Sequence, residues 1–220
     1  MKRSVTLLAI LLCSSCSQHL LSGIRFPDRT RPVARIETRG GVEYGVTTTK
    51  GILFLGRTAK KGPCRVHYFL GATPIVEDGE VLHRGGLFYE ADIDLKTPAV
   101  EILTRDPKDS DELVAILHQG GDVNHIPVKL AANEGESGDL IEWPGEDLPA
   151  GAGIFAKTGN QYRLFGLVAG QATMTGPDGE RKLLVIAGTD RMRELLSTPE
   201  NFPVRGRIKH RPDDITVIKK

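Results

Sequence analysis

The stretch that decides the fold is Leu148-Pro149-Ala150-Gly151-Ala152-Gly153-Ile154-Phe155, followed by a turn at Lys157 to Asn160 and then by Leu164-Phe165-Gly166-Leu167-Val168-Ala169-Gly170. Proline and glycine at 149 and 151 mark a tight turn. Gly153 to Ala156 reads as the strand that leaves it, and Tyr162 to Val168 as the strand that returns. Working outward, Glu112 to His118, Ile126 to Leu130 and Asp139 to Trp143 precede this hairpin, and Lys182 to Ile186 follows it. All four are short β-branched or apolar runs bounded by turn residues, so the block holds six strands. Thr189 or Asp190 can N-cap a closing helix over Asp190 to Leu196, in which Met192, Leu195 and Leu196 fall three and four apart on one face.

A first block shows the same pattern from Ile36 onward: Val42 to Thr49, Gly51 to Leu55, Arg65 to Leu70, Thr73 to Val76, Val81 to His83 and Leu87 to Leu95. The Pro- and Asp-rich segment Thr104 to Ser110 reads as a connector. With 25 Gly and 13 Pro in 220 residues, long helices are excluded, and 40% hydrophobic with 26% charged residues is the composition of a chain that buries a core. Two consecutive six-strand blocks are what two small antiparallel barrels need, because closure removes exposed strand edges. A sandwich fits the strand count equally well. The expected organisation is all-β: a first barrel over 36–103, a connector over 104–111, a second barrel with its terminal helix over 112–200, and a basic tail over 201–220. The 29 basic and 28 acidic residues give a net charge of +1, so nothing in the overall charge speaks for nucleic acid.

The quoted hairpin resembles the nucleophile region of trypsin-like serine peptidases, where Gly-Asp-Ser-Gly-Gly/Ser-Pro enters a strand that returns as apolar-Gly-Ile-Val-Ser-Gly. Asp111 to Ile116, Leu183 to Ile186 and the terminal helix fall in the family's order, so the resemblance covers roughly residues 40 to 197. It implies two packed six-stranded barrels. At the chemistry the chain departs from the family. The nucleophile's position holds Ala150, which has no heteroatom to carry an acyl group. Where the family's histidine follows Gly-x-Ile-Leu-Thr-Ala-Ala, this chain reads Gly51-Ile-Leu-Phe-Leu-Gly-Arg-Thr-Ala-Lys60-Lys61, with Lys61 in place of the base. Glu90-Ala-Asp92-Ile93-Asp94-Leu95 resembles the family's Asp-Ile-Ala-Leu, with Asp92 at the matching place. The resemblance therefore implies a catalytically degraded domain that keeps a peptide-binding groove between its barrels.

An active alternative exists. Gly135-Glu136-Ser137-Gly138 carries a Gly-x-Ser-Gly spacing, and His67, Asp92 and Ser137 follow the chain order His, Asp, Ser. His67 lies in Arg65-Val-His-Tyr-Phe-Leu70, where alternation gives it an ordinary strand position. His83, His118 and His125 lack a His-x-x-x-His spacing and Cys64 has no Cys-x-x-Cys partner, so no metal or cofactor is implied. Glu77, Asp78 and Glu80, and Glu142, Glu146 and Asp147, read as solvated turns. Gly85-Gly86 and Gly120-Gly121 open no phosphate loop, and Trp143 reads as a core or rim aromatic.

At the N-terminus Lys2 and Arg3 precede the apolar run Val5 to Leu12 and then Cys13-Ser14-Ser15-Cys16, a charged region, an apolar region and a small-residue cleavage region. The apolar run is too short to span a bilayer. This segment resembles the signal of bacterial lipoproteins, with residues 1–15 removed and Cys16 acylated. Cys13 stands where that family prefers Leu, and an ordinary secretory signal cut near Ser15 or Ser17 is the alternative. The lipoprotein reading implies an envelope protein held to the outer membrane by lipid on Cys16 and tethered through 16–35. Cys64 is then the only free thiol, so no intrachain disulfide forms.

Overall fold

The computed structural model describes residues 31–97, 99–108, 111–119, 122–131, 140–143, 148–159, 161–176 and 179–202. Strands β1 (Val33–Thr38), β2 (Gly41–Thr48), β3 (Gly51–Leu55), β4 (Gly62–Leu70), β5 (Thr73–Gly85) and β6 (Phe88–Asp92) close into a barrel in the order β1-β2-β3-β6-β5-β4. After the two-residue β7 (Glu101–Ile102) come β8 (Glu112–Gln119), β9 (Asp122–Leu130), β10 (Leu140–Glu142), β11 (Gly153–Thr158), β12 (Gln161–Gly176) and β13 (Gly179–Ala187). They run β11-β8-β9-β10-β13-β12, and a β11–β12 pairing closes this second barrel, so the sandwich alternative does not hold.

Two regions of the first barrel differ from the sequence reading. β1 starts at Val33, inside the expected tether, because Val33, Ala34 and Ile36 all reach buried positions and Val33 to Thr38 pair with β2 over their whole length. The acidic run Glu77 to Glu80 is not a turn. It lies within the single long strand β5, paired to β4 from Leu70↔Thr73 to Gly62↔Val81. Two of its carboxylates have partners: Asp78 accepts from Arg65 at 3.1 Å, and Glu77 accepts from the Tyr68 hydroxyl at 3.1 Å and pairs with Lys96. The expected strands Thr73 to Val76 and Val81 to His83 are thus two ends of β5.

Three apolar clusters hold the molecule. Ala34, Ile36, Ile52, Phe54, Cys64, Val66, Tyr68, Val81 and Ala91 fill the first barrel. Ala115, Ile141, Trp143, Ile154, Phe165 and Leu184 are among those that fill the second. The third lies where the barrels meet: Val46, Leu53 and Leu55 from one side, Val114, Ile116, Phe155, Leu164 and Leu167 from the other, with Met192 and Leu195 of the helix α1 (Thr189–Ser197). Alternate residues of β3 therefore serve two cores, Ile52 and Phe54 inward, Leu53 and Leu55 outward, which is why the run Ile52 to Leu55 is apolar throughout. Residues 100–102, expected within the first barrel, instead bridge the two: Val100 exchanges backbone hydrogen bonds with Thr47 and Thr49, and β7 runs parallel to β12. The helix is capped by Gly188, not by Thr189 or Asp190; Thr189 is already inside the first turn and buried, and Asp190 pairs with Arg193 at 2.8 Å.

Candidate functional site

The turn at Pro149–Ala152 is built by backbone. The Ala152 N–H donates to Pro149 O (3.1 Å), the Gly151 N–H to Val168 O (2.8 Å), and the Val168 N–H to Ala152 O (2.9 Å). Leu148 and Ala152 on either side are buried in the second barrel, leaving Ala150 half-buried at the apex. Gly151 has φ +88°, and a Cβ there would stand 1.9 Å from the carbonyl oxygen of Tyr44 on β2. Only glycine meets both conditions. The position that resembles a peptidase nucleophile is therefore held against the first barrel, and its side chain is a methyl group.

Across the junction, the β3–β4 loop is fastened by a buried carboxylate. Glu43, next to Tyr44, accepts from the Thr58 N–H (2.8 Å) and the Thr58 hydroxyl (2.7 Å) through one oxygen, and is 4% exposed. At the other end of the loop the Gly56 N–H donates to Leu87 O at 3.1 Å. Lys60 and Lys61 are exposed. No histidine is present between Gly56 and Lys61. Glu43 was not singled out in the sequence, where an isolated Val42-Glu43-Tyr44 carries no sign of burial.

His67 and Asp92 are not brought together. His67 sits on the solvent face of β4, with Nε2 3.2 Å from Glu37 Oε1, and Glu37 in turn bonds Arg35, which holds its carboxyl below the usual range. On β5 the register partner of His67 is Val76, whereas that of Asp92 is Glu80. Two strand spacings and four residues of rise put their backbones on the order of 15 Å apart. Lys61, one residue before Gly62, lies two residues off the level of Asp92 across β5, because Gly62↔Val81↔Ala91 and Pro63↔Glu80↔Asp92 are in register. Ser137 and Cys16 lie outside the described residues. Of the other histidines, His83 contacts Gly86 O at 3.0 Å and His125 packs edge-on against Tyr162.

A second feature adjoins the turn. Pairing of β12 with β11 ends at Leu167 and with β7 at Leu164, while β12 and β13 stay paired out to Gly176↔Gly179. Among the described residues, Gly170 to Gly176 are thus paired on one side only, and this open edge begins two residues after Val168, where the Ala150 turn is bonded.

No protein-family model matches the sequence, nor does any curated protein. Among solved structures the chain is similar to the serine endoprotease from Yersinia pestis, with a TM-score of 0.51 and 16% identity over 78% of this chain and 65% of that one. The chain shares the trypsin-like fold. A human pathogenic astrovirus serine protease (TM-score 0.46, 14% identity, 70% of this chain and 89% of that one) and a catalytically inactive tobacco etch virus protease complexed with substrate (0.47, 12%, 80% and 86%) are more distant matches. The likeness is one of architecture, and function has to be argued from this chain's own residues.

Proposed function

We propose that this chain is a lipid-anchored protein of the bacterial envelope whose trypsin-like double barrel binds an extended peptide or protein segment without cutting it. The observation that carries the reading is the turn entering β11: three backbone hydrogen bonds fix it, yet its apex is Ala150. Acyl transfer needs a hydroxyl or thiol at that point and a base within hydrogen-bond reach of it. In place of the family's base the β3–β4 loop carries Thr58, Lys60 and Lys61, with Thr58 committed to Glu43. Without a nucleophile, amide donors that would stabilise an oxyanion have nothing to act on. The open edge of β12 supports binding, because an extended segment can add to it by main-chain hydrogen bonds. The lipid anchor rests on Lys2, the apolar run and Cys16.

The full-length protein should neither label with a fluorophosphonate probe nor cleave a broad peptide library, and Ala150→Ser alone should leave it silent. Labelling that vanishes in Ser137→Ala and depends on His67 would reverse the conclusion in favour of an active endopeptidase. Separately, Cys16→Ser should abolish palmitate labelling and release the protein from membranes. Unlabelled wild-type protein with unchanged fractionation removes the anchor.

A further inference from the structure

Resting on that groove, we propose that its first-barrel rim, formed by Arg39, Arg57, Lys60 and Lys61, selects a peptide segment carrying a run of acidic residues. All four side chains are exposed. Among the described residues none of them forms an ion pair, although eleven pairs occur elsewhere. The four come from two chain segments that are fixed to each other. Gly40 packs so tightly on the β3–β4 loop that a Cβ there would lie 1.9 Å from Thr58 O, and Glu43 bonds Thr58 twice. The hairpin tip bearing Arg39 is itself held by Thr38, whose hydroxyl donates to Gly41 O and accepts from the Gly40 N–H, each at 3.1 Å.

The only carboxylate within residues 38–42, 43 and 56–63 is Glu43, which is buried and turned to Thr58. Glu37 is engaged with Arg35, and Asp78 with Arg65. Glu80 and Asp92, in register with each other on β5 and β6, lie past Pro63 at the margin of the patch. Four like charges held on two tips without counter-ions repel one another, and an incoming polyanion relieves that repulsion.

The patch is joined to the Ala150 turn through β2. Glu43 and Tyr44 are adjacent, one fixing the cationic loop and the other touching Gly151 in the Ala150 turn. A lipid surface fits less well, because membrane-facing patches combine cations with large apolar side chains, and Val42 is the only large exposed apolar residue on these two tips. Another cationic group among the described residues, Lys129, Arg181 and Lys182 on β9 and β13, includes Arg181 at 3.7 Å from Glu142.

The test uses the full-length protein and a fluorescein-labelled twelve-residue extended peptide containing four consecutive Glu, against the same peptide with Gln. The Glu peptide should bind about tenfold more tightly at low salt, and the preference should shrink as the screening length falls from about 14 Å at 50 mM toward about 6 Å at 300 mM. R57E/K60E/K61E should abolish the preference, and K129E/K182E should keep it. No preference for Glu, or equal loss in both variants, overturns the proposal. So does sedimentation with phosphatidylglycerol vesicles that depends on these residues while peptide preference is absent. N-methylation of alternate amides in the Gln peptide reads the groove independently: sensitivity in one alternate set supports strand addition even where the acidic preference fails. Insensitivity of both sets with the Glu preference intact removes the groove and leaves the rim.

Discussion

The two walls that meet at the candidate cleft are held by different means. On the second barrel, the Pro149–Ala152 turn is fixed by three backbone hydrogen bonds and by a glycine pressed against Tyr44. On the first, the β3–β4 loop is fixed by one buried carboxylate, Glu43, acting on Thr58. A wall made of backbone keeps its shape whatever its apical side chain is, so Ala150 can stand there without structural penalty. A wall made of one side chain is only as firm as that residue. The contrast separates what the architecture requires from what chemistry would have required.

The strongest way to break the comparison is Gly151→Ala. It places a side chain in a left-handed conformation and drives a methyl group into the Tyr44 carbonyl, so it should cost about 2–4 kcal/mol and shift the urea midpoint accordingly. Ala150→Ser, one residue away, should stay within about 0.5 kcal/mol. Equal losses from the two changes would contradict the backbone account.

Glu43→Ala tests the other wall. It leaves the Thr58 N–H and hydroxyl without their acceptor and should cost about 1–3 kcal/mol, with amide exchange at Thr58 accelerating more than at β3. Glu43→Gln, which retains an acceptor oxygen, should recover most of this.

The smallest effect sharpens the comparison by moving to a site outside both walls. Asp111, at the end of the connector, accepts from Arg105 (2.7 Å), the Lys108 N–H (2.8 Å) and Thr158 (2.7 Å), and Arg105 first among these holds its carboxyl well below the usual range. A carboxyl depressed in the folded state contributes stability that is complete above its unfolded pKa of about 3.9 and is lost as pH falls toward the folded value. Asp111→Asn should therefore destabilise by about 1 kcal/mol at pH 7, with the gap between variant and wild type narrowing below about pH 4. A gap that widens in acid would contradict the assignment.

Much of this arrangement can be read in the sequence because it is carried by local pattern. The six strands of the second barrel follow their apolar runs, and the Ala150 turn announces itself through Pro149 and Gly151. The prolines and arginines around Arg31 and Arg35 mimic a linker and hide β1, although barrel closure buries Val33, Ala34 and Ile36. The acidic face of β5 looked like a turn because its partners, Arg65, Tyr68 and Lys96, come from other segments. Glu43 and Thr58 are fifteen residues apart and meet only once the hairpin folds back. The register of His67 and Asp92 is equally illegible in chain order: β5 places their partners four residues apart.

The core shared by the barrels also sets an order of events. Leu53, Leu55 and Phe88 face outward from the first barrel into a core whose other members include Phe155, Leu164, Leu167 and the helix residues Met192 and Leu195. During synthesis at about 5–20 residues per second, the roughly one hundred residues from Leu55 to Phe155 take on the order of 5–20 s to appear. Throughout that interval the nascent first barrel carries a greasy flank with no cover. A chain built this way gains from delaying the closure of its first barrel until the residues from Phe155 to Leu195 have arrived.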